Sequence, residues 1–151
     1  MLINGAELHL LINHFPVILP LVGCALFIGA VYFKSPDYRK AALLFLIVSG
    51  LAAWISYLTG DSAEDVVKNF PGTNRQLIHE HEHAAKIAWL FAMVLGFLSG
   101  VGLWVEVKKK PLTRFAVLVL LALSLLGFGL MARTAHLGGL IKHEEIRGVA
   151  P

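Results

Sequence analysis

The chain has 151 residues, 57% of them hydrophobic and 15% charged, where an ordinary soluble domain is about half apolar and a quarter charged. That length suits one domain, and the net charge of +3, without a basic stripe interleaved with aromatics, gives no support to nucleic-acid binding. The apolar residues fall in four long, nearly uncharged blocks, which excludes a soluble fold because too little polar chain is left to cover them.

The first block runs from Leu8 to Phe33 and holds two histidines but no formal charge. No basic residue precedes it and no small-x-small cleavage pattern follows, so it reads as a span and not as a signal peptide. Pro16 and Pro20 each remove a backbone donor inside it. Either the helix is kinked there, or it begins at Pro16 and leaves Leu8–Phe15 as a bent or interfacial segment. Cys24 is a lone cysteine in this block, read as a small apolar packing residue.

A short basic connection through Lys34, Arg39 and Lys40 leads to the second block, Ala41–Thr59. The long loop from Gly60 to His83 follows, with room for a short helix around Ala63 to Asn69 on the membrane surface. The third block, from about Ala84 to Val105, carries Lys86 in its first turn and a Gly96-x-x-x-Gly100 pattern suited to close helix approach. A second basic loop, Glu106 to Arg114, precedes the fourth block, Phe115 to about Ile141. Each block reaches the roughly 18–20 apolar residues that cross a bilayer core. The fold class is therefore all-α: an integral membrane four-helix bundle with helices at about 8–33, 41–59, 84–105 and 115–141. Trp54, Trp89 and Trp104 fall near the ends of these helices, where indole rings anchor to the interface. Ser49, Ser56, Ser99 and Ser124 read as packing serines that bond backbone carbonyls.

The two short loops hold seven of the 13 basic residues. Basic density in short loops sets topology, so both are expected in the cytoplasm and both termini on the outer, periplasmic side. The expected location is a bacterial cytoplasmic membrane, crossed several times.

All seven histidines then belong to the outer half: His9, His14, His79, His81, His83, His136 and His143. If helical, His14 lies ~9 Å along the first block and His136 ~7.5 Å from the end of the fourth. His83 opens the third. Ionisable groups at such depth need partners. Lys86 is three residues after His83 and Arg133 three before His136, so each pair shares a helix face. A cation beside each imidazole points to an anionic group between the helices, such as haem propionates or the carboxylates of Asp61, Glu64 or Asp65. Gly138 and Gly139 leave room for a bulky neighbour or a close helix.

The run His79-Glu-His81-Glu-His83 matches H-E-x-x-H, in which two histidines one turn apart hold zinc. Here the pattern follows from an alternating His/Glu tract, for which surface binding of a divalent metal is the better reading. No nucleophile elbow, Walker loop or dinucleotide fingerprint occurs, and without C-x-x-C-H there is no c-type haem attachment.

His14-Phe-Pro16 with Pro20, Thr59-Gly-Asp61, a histidine opening the third helix, and His136-Leu-Gly-Gly139-Leu-Ile-Lys-His143 occur in that order. In this the chain resembles, over almost its whole length, a widespread bacterial family of small four-helix membrane proteins known only as a domain of unknown function. Some of its members look like b-type cytochromes or occur beside respiratory proteins. The family pattern often has a glycine after the last histidine, where this chain has Glu144. The resemblance implies membrane haem binding. The leading expectation is thus a non-covalent haem b protein moving electrons near the outer face, an electron carrier or accessory subunit more than a stand-alone enzyme. Its axial ligands would come from His14, His83 and His136, with Arg133 and Lys86 on the propionates. His9, His79, His81 and His143 are secondary ligand candidates. A copper or zinc site and a structural subunit of a respiratory complex are the alternatives. Partners would be the lipid bilayer and a quinone, a soluble cytochrome or other membrane subunits.

Overall fold

In a computed structural model, described for residues 4–108, 110–143 and 146–148, the chain forms α1 (Gly5–Ile12), α2 (Phe15–Tyr32), α3 (Pro36–Leu58), α4 (Gly60–Val67), α5 (Arg75–Val107) and α6 (Arg114–Lys142). Four segments are long and apolar enough to cross a bilayer: Gly5–Tyr32, which joins α1 and α2, then α3, α5 and α6. In each, the most apolar window is no more than 44% buried. Leucines, valines and phenylalanines thus cover the outside of the bundle, as lipid requires and water does not permit. This is a multi-pass membrane protein with an all-α fold.

The first block is two helices. Asn4 caps α1 reciprocally with Glu7: its Oδ1 accepts from Glu7 N at 2.8 Å and its N–H donates to Glu7 Oε2 at 3.0 Å. The chain turns at Asn13 and His14, and α2 restarts with Pro16 in its first turn, where a missing N–H costs nothing. Of the two proline readings, the restart is the one found. α2 closes at Lys34, whose left-handed φ of 52° sends Ser35 N back to Ala30 O at 3.2 Å. Ser35 Oγ then caps α3.

α5 begins at Arg75 and not near Ala84, because Asn74 Oδ1 accepts from Gln76 N (2.9 Å) and Leu77 N (3.4 Å). The alternating His/Glu run is therefore helical. The short helix expected near Ala63–Asn69 is α4, shifted to begin directly after Thr59.

The principal contacts run α2–α3, α3–α5, α5–α6 and α6–α2, closing a four-membered ring. Its core is Phe27, Leu43, Leu46, Leu95, Val117 and Leu120 toward the basic loops, then Ala53, Ala88, Ala92 and Met131 toward the histidine-rich end. The small residues bring α3 and α5 together. A Cβ on Gly50 would stand 3.0 Å from Ala92 O, and one on Gly96 3.5 Å from Gly50 Cα. Gly100, the second glycine of the G-x-x-x-G, meets nothing within 4 Å and faces outward. Ser99 and Ser124 donate to Leu95 O and Leu120 O, each at 2.7 Å, while buried Ser49 Oγ has no partner among the described residues.

At the basic-loop end, Arg39 of α3 grips Glu106 of α5 in a two-pronged pair, Nε–Oε1 2.7 Å and Nη2–Oε2 3.3 Å. Leu112 N also donates to Glu106 Oε1 at 3.0 Å, tying down the loop into α6. At the other end α1 and α4 pack against each other, so closely that a Cβ on Gly5 would lie 2.5 Å from Ser62 Cβ.

Candidate functional site

Two imidazoles point into the histidine-rich end of the bundle, His9 on α1 and His81 on α5. His9 Nδ1 lies 2.9 Å from Ser56 O and 3.3 Å from Thr59 Oγ1. A carbonyl only accepts, so Nδ1 carries the proton and Nε2 is the lone-pair nitrogen in the neutral ring. Ser56 belongs to the last turn of α3, where carbonyls lack helical partners. His9 thus caps α3 at the point where Thr59-Gly60 turns the chain into α4. Thr59 Oγ1 sits 3.0 Å from Ile55 O and 3.1 Å from Ser56 O, closing the same helix end.

His81 is held in the same manner from the other side of the bundle. Its Nδ1 is 2.9 Å from Thr134 O of α6. That carbonyl is in mid-helix, and the ring reaches it because residue 138 has no side chain. A Cβ on Gly138 would stand 3.1 Å from His81 Cε1 and 3.3 Å from Nδ1. Neither Nε2 has a protein partner among the described residues. This is the arrangement of ligating histidines: one ring nitrogen fixed to a carbonyl, the other presented.

The residues ranked first from the sequence lie elsewhere. His14 is exposed at the start of α2 and bonds only Leu10 O, at 3.2 Å. His83 and His136 are exposed on α5 and α6, as are Lys86 and Arg133. His14, His83 and His136 do not form a three-residue group that could hold a metal ion. The structure does bring His83 and Arg133 together: with His79, Glu80 and Leu137 they line an open groove of about 320 Å³ between α5 and α6. His79 Nδ1 is 3.9 Å from Glu82 Oε2, one turn along α5. His143 terminates α6, its N–H bonded to Gly139 O at 3.0 Å.

Among the described residues no three His, Cys, Asp or Glu side chains form a metal-holding group. Asp61, Glu64 and Asp65 lie on α4. Asp65 pairs with Lys68 at 2.5 Å, and the Glu64 carboxyl is pushed up by its hydrogen bond to Glu82, with burial and the charge of Glu82 adding to the effect.

The sequence reading missed the anchors Ser56 O and Thr134 O, since every residue has a carbonyl and only packing decides which one is reachable. It also missed Asn13, whose buried Oδ1 has no partner among the described residues. The chain matches no family model, and no curated protein or solved structure shows significant similarity to it.

Proposed function

We propose that this protein holds a haem b between His9 and His81 and carries electrons near the outer face of a bacterial cytoplasmic membrane, with both termini outside. One observation carries the reading. Two inward imidazoles on different helices are each oriented through Nδ1 by a main-chain carbonyl, leaving both Nε2 atoms as donors.

The donor set fits haem iron, which takes two axial imidazoles and obtains its remaining ligands from the porphyrin. A tetrahedral zinc would need further protein ligands. The carbonyl bonds raise the basicity of both rings and prevent their rotation. On the face of α5 that carries His81, Ala84 and Ala88 are small and buried, and Gly138 leaves room beside the ring. The roof is α1 and α4, neither of which buries a single residue fully, so it yields at low cost to a bulky group. Haem, when bound, supplies one-electron exchange. The protein's part is to hold the group in an apolar bundle near the interface, within reach of a quinone, a soluble cytochrome or another membrane subunit. Lys86 and Arg133 face outward and have no role in this arrangement.

A copper ion on the same two imidazoles is the second reading. It is favoured by the tight seating of His81 on Gly138, which a small ion would leave undisturbed.

The test is the absorption spectrum and metal content of the full chain purified after haem-replete expression. A Soret band that His9→Ala and His81→Ala abolish, and that His14→Ala and His136→Ala retain, supports the haem reading. A colourless protein with stoichiometric copper supports the second. A colourless, metal-free protein removes both.

A further inference from the structure

We infer that the outward groove between α5 and α6 binds the phosphate of an anionic phospholipid headgroup. This does not rest on the haem reading, because the groove opens on the outside of the bundle and involves neither His9 nor His81.

The depth comes from the helices. α5 has 33 residues, about 50 Å at 1.5 Å per residue, against a hydrocarbon core of about 30 Å. Its two tryptophans, Trp89 and Trp104, bracket the apolar stretch, about 22 Å apart along the axis, and indole rings favour the two interfaces. His83 and His79 lie beyond Trp89, at headgroup level. His81 packs against Thr134 and Gly138, and this register sets Arg133 of α6 level with His83.

The charge comes from the same residues. His79, His83 and Lys86 recur at helical spacing along one exposed face of α5, and Arg133 projects from α6 into the groove beside them. Arg133 and Lys86 make no ion pair with any described residue. A guanidinium without a protein ion-pair partner at the edge of a bilayer favours an anionic acceptor, and its planar donors match phosphate oxygens. The acid in the groove is Glu80, which accepts from Gln76 Nε2 at 3.0 Å. Glu82 does not line the groove, and its Oε2 stands 3.9 Å from His79 Nδ1, one turn along α5. The fixed positive charge of Arg133 in the same groove would also repel a divalent cation approaching His79 and His83. Leu137, the fifth lining residue, offers apolar contact to the glycerol and upper acyl chain.

The experiment is native mass spectrometry of the full chain from mixed micelles of equimolar phosphatidylglycerol and phosphatidylcholine, with thermal unfolding in each lipid alone. The wild type is expected to retain phosphatidylglycerol preferentially and to be stabilised by it. Arg133→Gln should lose about tenfold in retention, the effect of one charge-assisted pair, and the His79→Gln, His83→Gln double variant should lose part of it. Lys34→Gln, at the opposite end, should bind as wild type. Helical circular dichroism establishes that each variant is folded. Equal retention by wild type and both folded groove variants overturns the proposal. So does displacement of the bound species by inorganic phosphate at millimolar concentration, which would identify a soluble phosphoanion as the ligand.

Discussion

The ring of His81 occupies the space that a side chain at Gly138 would fill: an added Cβ would stand 3.1 Å from Cε1 and 3.3 Å from Nδ1. The glycine therefore lets an α5 imidazole reach an α6 carbonyl, Thr134 O. Gly138→Ala should push the ring off that carbonyl and destabilise the bundle by about 1–3 kcal/mol, the range for overpacking a fitted contact. If the pair binds a haem or metal ion, this variant should lose it as His81→Ala does. At Gly139 a Cβ meets only Ile146 Cδ1 at 3.6 Å, so Gly139→Ala should be close to neutral. Thermal unfolding in detergent, read beside the absorption spectrum, separates the two.

The α3–α5 seam makes a second pair of glycines unequal. A Cβ at Gly50 would press on Ala92 O at 3.0 Å, backbone against backbone, whereas Gly100 faces open space. Gly50→Ala should cost about 1–3 kcal/mol. Gly100→Ala should be neutral or stabilising by about 1 kcal/mol through helix propensity. The G-x-x-x-G pattern alone does not distinguish Gly96 from Gly100, and equal effects at Gly50 and Gly100 would contradict the packing described.

Arg39 and Glu106 form the tie at the basic-loop end, with side-chain exposures of 16% and 3%. Removing one partner strands the other, so Arg39→Met or Glu106→Leu alone should destabilise by about 3–5 kcal/mol. The double variant should recover much of that loss, since apolar replacements strand no charge, except that Leu112 N loses its acceptor. A double-mutant cycle of unfolding free energies checks this, and purely additive losses would mean that the pair is not coupled.

Much of the fold was legible from hydropathy because a span is a property of twenty consecutive residues, and length alone separates it from a soluble helix. Its finer divisions needed local chemistry. Pro16 allowed a restart or a kink, and the turn at Asn13 decided for the restart. Asn74 extended α5 through a run that looked like loop because it is polar. The site was less legible. That the histidines gather at one end is a sequence fact, but which imidazoles turn inward depends on helix rotation. Arg133 and Lys86, spaced to accompany His136 and His83, do share faces with them, and those faces are the exposed ones. His9 and His81 turn inward because Ser56 O lies at a helix end and Thr134 O beside a glycine, and neither condition is visible until helices are paired. Thr59-Gly60 and Gly138, noted as family landmarks, are the positions that make those two carbonyls reachable.

The α4 helix supplies the last expectation, a pH dependence. Glu82 of α5, through hydrogen bonding, with burial and its own charge adding to the effect, raises the pH at which the Glu64 carboxyl of α4 gives up its proton. A raised folded-state value means that the folded form binds this proton more tightly than the unfolded chain does. The stabilisation is therefore fully present below the unfolded carboxylate range, about pH 4, and is lost as pH rises through the higher folded value. Above it, the two like charges of Glu64 and Glu82 repel each other. Because α4 buries no residue fully, the loss should appear as local opening of α4 and not as collapse of the bundle. Hydrogen exchange of Ala63–Val67 amides, corrected for intrinsic rates, should be slower near pH 4 than near pH 7. Glu64→Gln keeps a donor to Glu82 at every pH, so its α4 protection should be nearly flat across that interval. The same pH response in Glu64→Gln as in wild type would place its origin elsewhere than this pair.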